Sequence, residues 1–193
     1  LTVYCDVSHD TYRHVEDDRG LDAPTNPVMP SKKNEMALNG AAYNIFPPPF
    51  ESAKHGPRTL VLNPEDLLVS PYGWHDTNGS TGAEYTITRG NNVHAYEDIL
   101  NKNVSQNNEP NGGQNLHFDF PYDASWEPQQ FTSAAIVNLF YMNNYMHDFS
   151  YYYGFTESAG NFQVNNYGRS GLANDHVRAE GQDGGGSNNA NFS

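Results

Sequence analysis

Apolar positions along this chain fall into short runs separated by long polar stretches, and one run outlasts the others. Between residues 132 and 153, Ile136, Leu139, Phe140, Asn143, Met146, His147 and Ser150 or Tyr151 recur at three- and four-residue steps, which predicts an α-helix. Thr132 or Ser133 is placed to cap its start, and Gly154 stands where a left-handed residue ends a helix. At about twenty-one residues it would run roughly 31 Å at 1.5 Å per residue. Elsewhere the spacing predicts strands. Tyr43 and Ile45 alternate with Asn44 and Phe46 before a stop at Pro47, Pro48 and Pro49. Arg58 to Leu62, Ala83 to Arg89 and Asn91 to Asp98 are further strand candidates, as is Leu1 to Val7. Leu116, Phe118 and Phe120 alternate with His117 and Asp119. Asn63 followed by Pro64, Glu65 and Asp66 has the form of a capped helix start. Asn101 to Gln114, rich in Asn and Gly, is a surface loop. Together these predict an α+β fold: antiparallel strands, one long helix, then a loop-rich stretch returning to a strand at the end.

Residues 1–40 differ from the rest. From Asp10 to Asn39 the chain is charged, interrupted by Pro24, Pro27 and Pro30, and periodic in neither sense, so it is expected to be a tail or linker. Lys32-Lys33 within it is either a processing site or, more plainly, a solvated basic pair. With 193 residues in all, one domain over 41–193 is the natural expectation.

Composition narrows the function classes. The net charge is −13, and from residue 61 onward fifteen Asp and Glu face four Lys and Arg. Such a surface repels phosphate backbones, which argues against a nucleic-acid partner. Calcium binding is one use for the carboxylates; a solvated acidic surface is the plainer one. No apolar run approaches the ~20 residues of a membrane span. A single cysteine, Cys5, allows no disulfide within the chain. The start lacks the basic and apolar regions of a signal peptide, as in a product already processed. Asn78-Gly79-Ser80, Asn103-Val104-Ser105 and Asn191-Phe192-Ser193 are glycosylation sequons, which suit a secreted chain.

Candidate chemistry within the chain is sparse. Eight histidines invite a metal, yet no H-x-x-x-H, H-x-H or C-x-x-C spacing occurs. Asn143, His147 and Tyr151 share one face of the predicted helix, where a core histidine bonded to a neighbour is the plainer reading. Ser170 is not in a nucleophile elbow, and Gly184-Gly185-Gly186 lacks the Lys and Ser or Thr of a phosphate loop. Asp175, His176 and Asp183 read either as calcium ligands or as hydrogen-bonding loop residues.

Longer motifs point further. Ser70-Pro71-Tyr72-Gly73-Trp74-His75-Asp76 is followed by Thr88-Arg89-Gly90-Asn91-Asn92-Val93-His94-Ala95-Tyr96-Glu97-Asp98. Then come Asn138-Leu139-Phe140-Tyr141-Met142-Asn143-Asn144, Met146-His147-Asp148, Tyr153-Gly154-Phe155 and Ser158-Ala159-Gly160-Asn161-Phe162-Gln163. Asn174-Asp175 and Gln182-Asp183-Gly184 through Phe192 complete the set. In this order, over about residues 41–193, the chain resembles the fungalysin-type family of secreted zinc metalloproteases, whose catalytic domain is similar to that of thermolysin.

The resemblance implies the strand-rich N-terminal half of a thermolysin-like catalytic domain, with residues 1–40 as the end of an inhibitory propeptide. It implies zinc as cofactor, held by two histidines of an H-E-x-x-H helix and a later glutamate, all expected beyond residue 193. The glutamate within that motif would be the general base. Partners implied are the remaining half of the domain, the propeptide and an extended peptide or protein substrate. Asn189 and Ala190 match the Asn-Asn-Ala edge strand that hydrogen-bonds substrate as an added strand in thermolysin-like proteases. The alternative is a secreted, non-catalytic structural or complex component that keeps the protease scaffold.

Overall fold

The hub of the core is Tyr43, fully buried, whose ring lies within 5.2–6.1 Å of those of Phe118, Trp74, His75, Phe140 and Tyr141. The computed structural model describes residues 2–5, 40–50 and 52–186. They form two three-stranded sheets and a 20-residue helix. In the first sheet β1 (Thr2–Cys5) and β4 (Val93–Glu97) flank β6 (Val177–Gly181), all parallel. In the second, β2 (Ala42–Ile45) lies between β3 (Thr59–Leu62), antiparallel to it, and the two-residue β5 (His117–Phe118), parallel to it. Helix α1 (Thr132–Tyr151) packs on β2, β4 and β6 and so joins the sheets.

The α+β class is as expected, but only the β2–β3 pairing is antiparallel among the four strand pairings described. Parallel neighbours need long crossovers, and here α1 with its flanking loops supplies the one between β4 and β6. Two expected elements do not form. Residues 83–89 make only isolated bridges, Ile87 to Asn111 and Arg89 to His94. Asn63 takes φ 44°, which is incompatible with the extended backbone of a helix cap. In place of a helix, Asp66 accepts the Leu68 amide and closes a single turn through Ser70.

The buried face of α1 is Ala134, Ile136, Val137, Phe140, Tyr141, Asn144 and Asp148. It is rotated from the expected stripe, with Leu139, Asn143 and His147 half-buried and Met146 exposed. The sequence pattern misleads because this face changes character along the helix, apolar for two turns and polar where it meets the loop 63–76. Phe131 rather than Thr132 precedes the first turn, without a side-chain cap. The Thr132 hydroxyl instead donates to Gln182 Oε1 at 2.9 Å. Gly154 does adopt the left-handed φ of 93° at which a Cβ would be strained, as expected.

Asp148 fixes the other end of α1. Its carboxylate accepts from the Ser70 hydroxyl, the Trp74 indole N–H and the Asp66 amide at 2.9, 2.9 and 3.0 Å. Asp148→Ala is expected to cost about 3 kcal/mol or more, because the buried Ser70 and Trp74 donors and the part-buried Asp66 amide lose their acceptor at once. Tyr43→Phe, which removes one hydrogen bond to His75 Nε2, should cost about 1 kcal/mol. Urea midpoints of the two variants in equal or reversed order would contradict this assignment.

Candidate functional site

The strongest chemical constellation lies where β4 and β6 end together. Register pairs Tyr96 with Glu180 and Glu97 with Gly181. Beyond it the two chains stay clamped: the Asp98 amide donates to the Gly181 carbonyl at 3.1 Å and the Gly184 amide to the Asp98 carbonyl at 3.0 Å. Gly184 is required here, since a Cβ would stand 2.2 Å from the Ile99 carbonyl oxygen. This junction brings Asp98, Glu180 and Asp183 together, with one carboxylate oxygen of each within 4.8 Å of the others. Asp98 and Glu180 are buried. The Asp98 oxygens accept from the Lys102 and Asn103 amides at 2.7 and 2.6 Å. Glu180 Oε1 accepts from the Tyr96 hydroxyl at 2.5 Å. Burial, and then the Glu180 contact, push the Tyr96 phenol far above its ordinary range, so it stays a donor. Glu180 Oε2 and Asp183 Oδ1 are buried without a hydrogen-bond partner.

Of these three, only Asp183 figures as a candidate in the sequence, grouped there with Asp175 and His176. The structure separates that group. Asp175 accepts the Gln163 amide at 3.0 Å, the loop-bonding role, and the His176 ring packs toward His94. Asp98 and Glu180 carry no signal of their own in the sequence, because no spacing rule joins residues brought together by parallel strand pairing. Asn189 and Ala190, with Asn191, lie outside the described residues. Asn78 and Asn103 are exposed on loops.

The histidines do not make a zinc site among the described residues. Fully buried His75 lies between the Tyr43 hydroxyl at 2.7 Å and the Arg89 carbonyl at 3.0 Å. Burial lowers its pKa from 6.5 to about 4, against the opposing backbone hydrogen bonds. His147 is the hydrogen-bonded core histidine anticipated for α1, held by Asp148 and Gln163 at 3.1 Å each. His94 Nε2 meets Glu109 Oε1 at 2.6 Å. Burial would raise the Glu109 pKa, but hydrogen bonds from His94 and Ser105 outweigh it and hold it at about 2. The one cluster of metal-ligating groups among the described residues is the all-carboxylate set, whereas zinc favours nitrogen and sulfur ligands with at most a carboxylate or two.

The family described as fungalysin metallopeptidase (M36) matches residues 42–193. The chain is 43% identical over 161 residues to "Extracellular metalloproteinase 5" of Trichophyton tonsurans, covering 80% of this chain and 25% of that protein. To its counterpart in Trichophyton rubrum it is 42% identical over 156 residues, covering 80% and 24%. "Extracellular metalloproteinase 2" of Arthroderma benhamiae is 38% identical over 170 residues, covering 84% and 26%. The chain thus spans about a quarter of the length of the curated relatives it matches.

His75 generates a pH prediction. Its folded pKa lies below the unfolded value, so the unfolded chain binds the proton first as pH falls. The stability that His75 contributes while neutral should be lost between pH 6.5 and about 4. That loss is about 3 kcal/mol. His75→Gln is expected to flatten the fall of the urea midpoint across this window; an unchanged slope would refute the assignment.

Proposed function

This chain belongs to the fungalysin metallopeptidase (M36) family, and from that premise we propose that it is the N-terminal part of the catalytic domain of a secreted zinc metalloendopeptidase acting on extracellular proteins. The observation that carries this reading is the family match over residues 42–193. The printed names of the relatives, extracellular metalloproteinases, support both the reaction and the location. No described helix is long and apolar enough to cross a membrane.

In this reading residues 1–40 are the end of an inhibitory propeptide and its junction, and residues 41–193 are the part of the catalytic domain that precedes the zinc helix. The zinc ligands and the general base come from sequence beyond Ser193. This part supplies the rigid wall of the cleft. Residues 187–193 come next in sequence after the turn that follows β6, and Asn189 and Ala190 are assigned to bind an extended peptide through side-chain amide and backbone carbonyl. An edge strand suits this task because its unpaired backbone groups accept any sequence in extended form.

The partner half of the domain has a surface to meet. Tyr141, Tyr145 and Phe149 along α1, and Tyr153 just past its end, follow one another with ring centroids 6.3, 6.2 and 5.0 Å apart. The series passes from buried at Tyr141 to exposed at Tyr153, and Met146 and Phe155 are exposed as well. We assign this face to the remaining part of the catalytic domain. Asn78 and Asn103, exposed on loops, are assigned as glycan acceptors in the secreted protein.

Full-length protein is expected to degrade casein, to lose that activity to 1,10-phenanthroline, and to recover it with zinc. Asn189→Ala should lower kcat/KM for peptides by about tenfold, the worth of one substrate hydrogen bond, without changing the zinc content. A zinc-free protein inert toward casein would sink the proteolytic reading. A wild-type kcat/KM in Asn189→Ala would sink the edge-strand assignment alone.

A further inference from the structure

We propose that Asp98, Glu180 and Asp183 form a hard divalent-cation site, of the size and chemistry of Ca²⁺, that fastens the end of β6 ahead of residues 187–193. A cluster of acidic residues alone would not carry this, since solvated carboxylates gather on many acidic surfaces. Here Glu180 is fully buried, and its Oε2 has no hydrogen-bond partner although Oε1 is held by Tyr96. Asp183 Oδ1 is buried and unpartnered as well. An ionised oxygen kept from water without a donor is strongly disfavoured, and a positive ion among the three is the direct remedy. No Lys, Arg or His is paired with any of the three among the described residues.

The donor set selects the ion. All three ligands are oxygens, which suit Ca²⁺ or Mg²⁺ rather than zinc. They come from a strand end and two loop positions rather than from a regular octahedral frame, and Ca²⁺ tolerates such irregular coordination where Mg²⁺ does not. There is room for further oxygens at the rim. A Cβ at Gly185 would lie 2.7 Å from Asp183 Oδ2 and 3.1 Å from Asn101 Oδ1, so the bare glycine leaves both oxygens free to approach. The ion would join the 98–103 loop to the 181–185 turn, which already share the Asp98–Gly181 and Gly184–Asp98 backbone bonds. The bearing of this clamp on substrate rests on the role given above to Asn189 and Ala190; ion binding itself does not.

The experiment uses full-length protein stripped with EGTA, with Ca²⁺ as the titrant in calorimetry and Tb³⁺ as a luminescent probe. Wild-type protein should bind one more Ca²⁺ per chain than Glu180→Gln/Asp183→Asn and gain more in Tm on Ca²⁺ addition. Without Ca²⁺ the double variant should melt no lower than wild type, because it has lost two carboxylates whose buried oxygens have no hydrogen-bond partner. Tyr96 touches the site, so exciting tyrosine should sensitise Tb³⁺ emission that Ca²⁺ displaces. Tyr96→Phe should remove that emission while leaving the Ca²⁺ stoichiometry intact, a readout that stands even if the double variant does not fold. Equal Ca²⁺ stoichiometry and equal Tm gain in wild type and double variant would overturn the site. So would displaceable emission that survives in Tyr96→Phe, or a wild-type Tm that Ca²⁺ leaves unmoved, as expected if the carboxyls share a proton instead. None of these readouts depends on whether the protein cleaves casein.

Discussion

The carboxylate of Asp148 is the constraint on which the rest of this structure hangs. It sits near the end of α1, buried, and gathers donors from Asp66, Ser70 and Trp74. Those donors belong to a loop with little regular structure, so the helix carries the anion that shapes the loop. Trp74 and His75 are thereby held against Tyr43, Phe118 and Phe140, and the aromatic core closes. From the same point His147 extends the network to Gln163, and Arg169 pairs with Glu157 close by. A buried charge is tolerated because its donors are already in place, which also means that none of them can be removed cheaply.

How much of this was legible in the sequence depended on whether burial followed hydrophobicity. Strands β2 and β4 and the helix were legible because Tyr43, Ile45, Val93 and Ala95, and Ile136 and Phe140, are apolar and buried at the period of their element; β3 forms where its apolar run predicts, although Leu60 and Leu62 are exposed. Strand β6 was not. Its sequence, Val177-Arg178-Ala179-Glu180-Gly181, shows charge at two positions, one of which is fully buried. The same reversal at Asn144 and Asp148 displaced the expected face of α1. Residues 83–89 failed in the opposite way: they alternate as a strand should, but find a partner only at isolated bridges. The Asp98–Glu180–Asp183 cluster was invisible for a related reason, since parallel register across a long crossover leaves no local spacing to detect. What did reach the substrate side of the reading came from motif order along the chain, which fixed the family.

Three histidines among the described residues are committed to structure: His75 to Tyr43 and Arg89, His94 to Glu109, His147 to Asp148 and Gln163. A family that performs metal-dependent hydrolysis needs such a platform, because preorganised groups act only when their supports do not yield.

The central place of β6 has a consequence for how the molecule comes into being. Both neighbours pair with it in parallel from far off in the sequence: Thr2 of β1 lies opposite Arg178, 176 residues on, and Val93 of β4 opposite Val177, 84 residues on. Contacts of such long sequence separation close late and slow folding. During synthesis β4 must wait, without its strand partner, until Gly181 has emerged. Helix α1, made from local contacts, is complete before then and offers β4 a temporary cover. The order of emergence thus gives the helix the part of a chaperone within its own chain.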